Sequence, residues 1–307
     1  MFCIGEEQFN HYHSDQHNND DPGRRSHGEE SIRYRTHNLP PGGAGNLGID
    51  HGAAGIRHDD AIQHKLHIED NYLHSVAELK VAMKSLAEKY GCNAIAIQCW
   101  NALQSEIHIM PCAANALLNE EGIPVVCETD IHGAISQLIA EAASMNERRV
   151  MFSDWTVRHP DNDNGELLQH CGPWPISVAK EKPTICVPVA FPQNGAVSAE
   201  AKHGPMSLVR FDGDEGEYSI LLGHARGIDG PWTRGTYVWV EVNNLKRLEA
   251  KVVEGPYIHH VAAIHGDVVP VVYEACKYIG VKPDLYDPIE DKVKAYLHGE
   301  DVVFDEV

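Results

Sequence analysis

The sequence predicts an α/β fold in which a parallel sheet with flanking helices is followed by a β-rich C-terminal domain, either an antiparallel sheet or a barrel. Two observations predict this order. Apolar strand-like runs alternate with helical patterns over residues 61–150, as expected for parallel strands joined by helices. Strand-like runs separated by turn residues dominate residues 151–307, where helical patterns close the chain.

The first segment, residues 1–60, fits neither pattern and is predicted to be an irregular arm rich in His, Asn and Gly. Turn-forming clusters at 18–23 and 40–43 interrupt it, and apolar residues are sparse. Such a stretch buries too little surface to offset the entropy lost on ordering. Three interpretations stay open: a poorly ordered arm or a wrap on a partner subunit, a histidine-rich metal-binding tract, and a truncated or misread N-terminus.

The segment 61–150 is predicted to be the α/β domain, because helical and strand-like patterns follow one another with short links. Five elements have clear limits: a helix over 75–90, a strand over 94–97, a helix over 112–121, a strand over 123–127 and a helix over 133–145. Gly91 and Gly122 are placed to end the first two helices. Residues 150–152 begin a third strand, which the repeated order assigns to the same parallel sheet.

The segment 151–307 is predicted to be the β-rich domain with terminal helices. The strand-like runs are 207–211, 218–222 and 236–242, and the turn-like stretches between them are 212–214 and 227–231. Helical patterns cover 268–278 and 288–297. Short strands separated by turns favour an antiparallel sheet or a barrel.

The charge of the chain argues against several classes of partner. Its 307 residues carry 25 Lys and Arg against 45 Asp and Glu, a formal net charge of −20. Nucleic-acid binding needs a basic face, and peripheral membrane binding a polybasic patch. No run approaches the roughly 18 apolar residues of a membrane span, and the N-terminus lacks a signal-peptide pattern. The eight cysteines include no C-x-x-C pair, which disfavours a zinc ribbon or a thioredoxin motif, and several of them lie in apolar runs. We therefore expect a cytoplasmic protein with reduced thiols that binds neither nucleic acid nor membrane.

Two acidic residues follow neighbouring apolar strands of the predicted sheet. Glu128 comes directly after the strand over 123–127, and Asp154 follows the strand that begins at 150–152. In parallel α/β sheets, ligands bind outside the carboxyl ends of the strands. Each acid alone is also compatible with a helix N-cap or a paired structural acid. Two acids at one sheet edge are unfavourable unless a positive charge lies between them, and a divalent cation supplies that charge.

A histidine pair, His259 and His260, lies between a Gly-Pro turn and the helical pattern over 268–278. A lone histidine is more often a satisfied structural residue than a ligand, and both interpretations stay open for a pair before a helix. Two carboxylates and one imidazole suit Mn²⁺ or a similar hard divalent cation better than zinc. The predicted cofactor is therefore Mn²⁺ or a similar cation.

An amide and an indole follow the strand over 94–97, at the same predicted sheet edge. Gln98 can bond sugar hydroxyls, and Trp100 can stack on the C–H face of a sugar ring. The alternative is that Gln98 caps the next helix and that Trp100 belongs to the core. Thiol catalysis by the adjacent pair His170–Cys171 is disfavoured, because neighbouring side chains do not usually face each other.

Five short stretches, in their order and strand contexts, resemble the L-fucose isomerase-like family, which includes the L-arabinose isomerases. They are residues 94–100, 122–130, 153–155, 170–172 and 259–260. The resemblance implies α/β domains with a β-rich C-terminal domain, assembly as a homo-oligomer, and interconversion of an aldose and a ketose with Mn²⁺. The expected partner is a small-molecule sugar substrate.

The resemblance also implies roles for single residues. The metal ligands would be Glu128, Asp154 and His260, with His259 as the alternative if the register slips by one. Glu128 and Asp154 would also move the proton between C1 and C2 of the sugar through an enediol. Gln98 matches a glutamine of the family that contacts the substrate.

Members of this family carry a further N-terminal α/β domain, which residues 1–60 do not resemble. Three functional hypotheses are therefore kept. The first is a metal-dependent aldose–ketose sugar isomerase. The second is a non-catalytic sugar-binding or assembly subunit that retains the fold without that domain. The third is a different metal enzyme, such as a hydrolase that uses metal-bound water. The sugar itself and the number of subunits are left open.

Overall fold

Two sheets organise the part of the chain that the structure describes. This computed structural model describes residues 2–5, 70–214, 216–287 and 290–302, and their contacts place them in one unit. Apart from its first strand, β1 (Phe2–Gly5), the predicted arm over 1–60 lies outside the described residues. No described helix combines the length and the apolar character that crossing a bilayer requires.

The small sheet has three strands in the order β1, β2 (Cys92–Ala96) and β3 (Val125–Val126). β2 and β3 run parallel, with Ile95 opposite Val125, whereas β1 is antiparallel to β2. The apolar side chains of β2 and β3 are fully buried, because helices cover them. A parallel pairing of the first two predicted strands is thus confirmed, although the second strand is shorter than predicted.

Four helices precede or follow these two strands. They are α1 (Asp70–Tyr90), α2 (Ala102–Glu106), α3 (Cys112–Glu120) and α4 (Ile131–Ala143). α1 buries Val76 and Met83 and is followed by Gly91, whose φ of 61° ends the helix. The predicted helices over 75–90, 112–121 and 133–145 are therefore confirmed. α4 begins two residues earlier than predicted, because Asp130 caps it.

The large sheet has nine strands. They are β4 (Val150–Arg158), β5 (Gly165–His170), β6 (Thr184–Cys186), β7 (Ala196–Glu200), β8 (Gly204–Asp214), β9 (Glu217–Ile228), β10 (Thr236–Glu241), β11 (His260–His265) and β12 (Lys282–Asp287). Their order is β12-β9-β8-β11-β4-β5-β10-β7-β6, and a further pairing of β9 with β10 closes the six strands from β9 to β10 into a ring. All six pairings within the ring are antiparallel. Of the two forms predicted for the β-rich domain, an antiparallel sheet or a barrel, this closed ring matches the barrel.

The ring encloses its own apolar core, in which Met151, Leu168, Leu208 and Val238 are buried together. The remaining described helices are α5 (Leu245–Glu254), α6 (Val269–Ile279) and α7 (Glu290–Leu297). α6 and α7 confirm the predicted helices over 268–278 and 288–297, except that residues 288–289 lie outside the described residues.

The assignment of the third predicted strand to the parallel sheet is wrong. That strand is β4, and it lies in the large sheet, where Ser153 pairs with Val261 of the antiparallel β11. β4 forms longer ladders with β11 and β5 than it could form with β3, which has two residues. β4 nevertheless joins the two layers, because Phe152 packs in the small-sheet core and Met151 in the ring core.

The predicted turn over 212–214 is also displaced. The β8–β9 hairpin continues to the pair Asp214 and Glu217, so residues 212–214 belong to β8. Asp212 is buried and its carboxylate accepts hydrogen bonds from Arg210. This charged residue therefore lies inside a strand, where its burial is compensated by a partner.

Candidate metal centre

The three side chains that the sequence predicts as metal ligands meet after the end of β3, at the middle of β4 and at the start of β11. The prediction that Asp154 follows its strand is wrong, because β4 continues to Arg158. Asp154 of β4 lies opposite His260 of β11 in the ladder, and Glu128 follows β3 closely. His260 Nε2 lies 3.3 Å from Glu128 Oε2 and 3.4 Å from Asp154 Oδ1. The structure therefore brings these residues together, and we call them the candidate centre.

The backbone that carries Glu128 is in an unusual conformation. Glu128 and Thr129 both have a φ of 59°, a left-handed value that a β-branched residue rarely adopts. Neighbouring hydrogen bonds hold this bend: Thr129 N donates to Ile97 O at 3.1 Å, and Gly133 N donates to Asp130 Oδ1 at 2.9 Å. Strained conformations of this kind concentrate at functional sites.

Asp130 determines which nitrogen of His260 faces the candidate centre. Its Oδ2 lies 2.9 Å from His260 Nδ1. Burial alone would raise the pKa of Asp130, but His260 and Arg210 hold it well below its usual value. An ionised carboxylate only accepts hydrogen bonds, so Nδ1 must carry the proton. In neutral His260 the Nε2 lone pair then faces Glu128 and Asp154, as in metal-binding histidines backed by a carboxylate.

His170, at the end of β5, is a further residue of the site. Its Nε2 lies 3.7 Å from Asp154 Oδ1, and burial lowers its pKa to about 4, so it is neutral near pH 7. The backbone N–H of Cys171 donates to His170 Nδ1 at 2.9 Å. The ring proton therefore resides on Nε2, which is placed to donate toward Asp154. A ligand role for Nε2 would require Nδ1 to give up this bond.

The carboxylates of the candidate centre differ in pKa. Burial raises the pKa of Asp154 to about 7, and the charges of Glu128 and Asp130 add to that effect. The proximity of His260 lowers the pKa of Glu128. Burial opposes the charge of His260, but Asp130, Glu128 and Asp154 together raise its pKa to about 9. In the absence of another cation, the site therefore holds a proton on its imidazole.

This donor set fits a hard divalent cation. Asp154 Oδ1, His170 Nε2 and His260 Nε2 are buried and lack a hydrogen-bond partner within the described ranges. Buried polar atoms seldom stay unsatisfied, and a cation would satisfy Asp154 Oδ1 and the Nε2 lone pair of neutral His260. Carboxylate oxygens with an imidazole nitrogen are suitable ligands for Mn²⁺. Glu128, Asp154 and His260 are the residues that would hold it.

Trp100 contacts the candidate centre, whereas Gln98 is placed only by its position two residues after β2. Trp100 Nε1 donates to Glu128 Oε1 at 3.2 Å, and its ring packs edge-on against Phe191 with centroids 4.9 Å apart. Trp100 is 40% exposed, so the interpretation as a core residue is wrong. Gln98 is exposed, and the cap position of α2 is Asn101, so the capping interpretation is wrong as well. Contacts of both residues with a sugar stay a prediction.

The alternative ligand and the disfavoured thiol also lie near the candidate centre. His259 is exposed, its ring centroid is 4.3 Å from that of His260, and it forms a possible ligand set with Glu128 and His260. It is His260, however, whose Nε2 contacts both carboxylates. Burial raises the pKa of Cys171 to about 12, which keeps this thiol protonated and is consistent with its exclusion as a nucleophile.

Sequence reasoning missed three contributors to the site. Asp130 lies in the stretch 122–130 and His170 in the stretch 170–172, both of which carry the family resemblance, but the sequence assigns neither residue a role in the metal site. Arg210 bonds Asp130 from within the strand-like run 207–211. A charged residue inside an apolar strand is an unusual pattern, because a buried guanidinium needs carboxylate partners. An arginine inside an apolar strand-like run was therefore the feature of the sequence that could have indicated this role.

No family model matches the chain. It is similar to curated sulfoquinovose isomerases. The relative from Alkalicoccus urumqiensis is 26% identical over 214 residues, which cover 68% of this chain and 48% of the relative. The relatives from Priestia aryabhattai and Priestia megaterium are each 25% identical over 228 residues, covering 72% of this chain and 50% of theirs.

The chain spans about half the length of the curated relatives it matches. The similarity supports a relationship to sugar isomerases. Membership of the L-fucose isomerase-like family stays a prediction.

Proposed function

We propose that this chain is a metal-dependent sugar isomerase that interconverts an aldose and a ketose. One observation carries the proposal: two carboxylates and an imidazole from distant parts of the chain converge, and buried atoms of the site lack partners among the described residues. The similarity to sulfoquinovose isomerases supports the same reaction class. Mn²⁺ or a similar divalent cation is the proposed cofactor.

The two carboxylates are suited to moving a proton between C1 and C2 of a sugar. The lowered pKa of Glu128 keeps it ionised and able to accept a proton. In the metal-free protein, burial raises the pKa of Asp154 to about 7, and Asp154 is the proposed group that returns the proton. General acids and bases work best when their pKa lies near the working pH. His170 Nε2–H is placed to stabilise the ionised form of Asp154.

The other groups serve binding and orientation. A divalent cation held by Glu128, Asp154 and His260 would polarise the sugar carbonyl and stabilise the charge that develops on its oxygen. Trp100 orients Glu128 through its Nε1–H. Gln98, exposed at the same edge, is the proposed contact for a sugar hydroxyl.

We further propose that the protein is a homo-oligomer in the cytoplasm. None of the seven cysteines from Cys92 to Cys276 forms a disulfide, which is the expected state in a reducing compartment. The sugar class is open, and sulfoquinovose, on which the relatives act by name, belongs in a test panel with L-fucose and L-arabinose.

The test uses the full purified chain. Bound metal is measured by elemental analysis, and the sugar panel is assayed with Mn²⁺ and after chelation. We expect metal-dependent turnover that is lost in Glu128→Gln. The matched control is Glu200→Gln, an equivalent change at another carboxylate beside a histidine. A metal-free protein whose Glu128→Gln variant isomerises sugars as well as the wild type would refute the proposal.

The same measurements distinguish the other hypotheses. Sugar binding without turnover and without metal identifies a non-catalytic sugar-binding or assembly subunit. Hydrolysis of an ester or amide that chelation abolishes identifies a metal-dependent hydrolase instead.

A further inference from the structure

Arg210 of β8 is among the most deeply buried charged residues of the described chain. It is 1% exposed, and its guanidinium lies between Asp130 and Asp212. Nε and Nη2 bond Asp212 Oδ2 at 3.0 and 2.8 Å, while Nη2 also bonds Asp130 Oδ1 at 3.2 Å. Nη1 bonds Asp130 Oδ2 as well. A planar fork of this kind holds carboxylates in a fixed orientation.

Asp130 accepts from four donors, so both of its oxygens are fixed. Oδ1 accepts from Gly133 N and from Arg210 Nη2, and Oδ2 accepts from Arg210 Nη1 and His260 Nδ1. Without the guanidinium, the carboxylate could rotate away from the imidazole. His260 would then lose the contact that keeps its Nδ1 protonated.

We propose that Arg210 is the positioning residue of the candidate centre. By locking the Asp130 carboxylate, it keeps the Nδ1 proton of His260 in place and aims Nε2 at the other ligands. This inference rests on the proposed metal site, but it concerns residues that touch neither metal nor sugar. Groups behind metal ligands typically change metal affinity by about 10–100-fold when they are removed.

A purely structural role for Arg210 is the competing explanation, because the same residue joins α4 to β8. That role would lower thermal stability but would leave metal affinity unchanged. Asp130→Asn separates the two explanations. Asparagine is a good N-cap, so α4 keeps its start, and Arg210 keeps Asp212 as its partner.

The first measurement is titration calorimetry of the full chain with MnCl₂. We expect Asp130→Asn to bind Mn²⁺ about 10–100-fold more weakly than the wild type. Arg210→Lys should weaken binding about tenfold, since one ammonium cannot replace the fork between two carboxylates. The matched control is Glu141→Gln, a buried carboxylate near the opposite end of α4 that contacts Arg149. It should bind Mn²⁺ like the wild type.

The second measurement does not depend on metal. Proton NMR of the metal-free chain should show a slowly exchanging, downfield imidazole N–H resonance from the His260–Asp130 hydrogen bond. The resonance should be absent from His260→Asn and displaced upfield in Asp130→Asn and Arg210→Lys. It should be unchanged in Glu141→Gln.

The outcomes separate this inference from the proposed function. If the wild type shows the resonance, and the two variants displace it, but no Mn²⁺ binds, the positioning role stands and the isomerase proposal fails. If the wild type binds Mn²⁺ and Asp130→Asn keeps both the affinity and the resonance, the positioning role is overturned and the isomerase proposal stands. A wild-type spectrum without the resonance also overturns the positioning role.

Discussion

Two regions of the described chain bring two carboxylates and a histidine together, and they differ in burial and in counter-charge. In the candidate centre, the side chain of His260 is 3% exposed and contacts both carboxylates. In the other region, which we call the surface set, His203 lies between Glu200 and Asp229, and Asp229 is 95% exposed. Lys180 Nζ lies 3.5 Å from the Glu200 carboxylate. Only the surface set has a lysine beside its acids.

This difference shows that residue types alone do not define a metal site. The surface set places possible ligand atoms within 4.8 Å of one another, and so do two groups that share His260, namely Glu128 with His259 and Asp154 with His170. In the surface set, water solvates the carboxylates and the ammonium group of Lys180 compensates part of their charge. The cluster is therefore a solvated ion-pair network that contributes little to stability.

In the candidate centre, His260 is buried and Asp154 is partly buried, whereas Glu128 is exposed. Asp154 Oδ1 and His260 Nε2 are buried without a hydrogen-bond partner in the described part of the chain, so a cation there would satisfy atoms that water does not reach. For this reason the metal proposal concerns the candidate centre and not the surface set.

The largest expected effect is the loss of activity in Asp154→Asn. The change keeps the shape of the side chain but removes a group that is proposed to carry a proton, so kcat should fall by about 10²–10⁴-fold. Asp229→Asn in the surface set should leave kcat unchanged. Steady-state assays on the sugar that the wild type converts best provide the measurement. Equal losses in both variants would erase the distinction between the two regions.

The second effect concerns metal affinity. His260→Ala removes the nitrogen that contacts both carboxylates, and we expect Mn²⁺ affinity to fall by more than about 100-fold, since even groups behind a ligand cost about 10–100-fold. His203→Ala should leave the affinity unchanged. Calorimetric titration of both variants tests this pair of expectations. Weaker binding in His203→Ala alone would move the site to the surface set.

The candidate centre was partly predictable from the sequence, because polar residues at the ends of apolar strands are a local signal. Glu128 and the pair His259–His260 follow or begin such strands, whereas Asp154 lies in the middle of β4. The structure favours His260 over its neighbour through the register of β11 against β4, which places His260 opposite Asp154. That register depends on a pairing between segments more than 100 residues apart, and no local pattern contains it.

The pairing partners of β4 were not predictable for a similar reason. A buried apolar strand fits either sheet, and the strand–helix order up to residue 150 resembles that of a parallel sheet. The role of Asp130 was not predictable either, because it depends on the backbone conformation just before this residue. Left-handed conformations at Glu128 and Thr129 break the alternation of strand side chains, so spacing along the chain did not indicate which acid faces the imidazole.

The third prediction concerns Glu141, a buried carboxylate that has no role in the candidate centre. Burial raises the pKa of Glu141 to about 7, although Arg149 lies 3.8 Å away and opposes the shift. Between the unfolded and folded pKa values, the folded state binds more protons, so this group makes unfolding easier as the pH rises. Glu141→Gln removes that dependence. Its stability relative to the wild type should increase by about 2 kcal/mol between pH 5 and pH 8.

Urea denaturation of Glu141→Gln and the wild type at both pH values measures this change. The control is Glu147→Gln, which alters an exposed carboxylate near the end of the same helix and should show no such dependence. A stability difference for Glu141→Gln that does not vary with pH would mean that the carboxylate is ionised in the folded protein.

The smallest expected effect separates two roles of Trp100, which the sequence assigns to the sugar and the structure connects to Glu128. Trp100→Phe keeps an aromatic ring beside Phe191 but removes the Nε1–H that bonds Glu128. Loss of one hydrogen bond worth about 1 kcal/mol should lower the Mn²⁺ affinity approximately fivefold. KM for the sugar should stay nearly unchanged. Trp232→Phe, at another exposed tryptophan, is the control. If Trp100→Phe leaves Mn²⁺ affinity intact and Trp100→Ala raises KM, the indole acts on the sugar ring and not through the carboxylate. Because the two readouts respond to different contacts, the pair of substitutions determines whether this residue belongs to the metal ligands or to the sugar pocket.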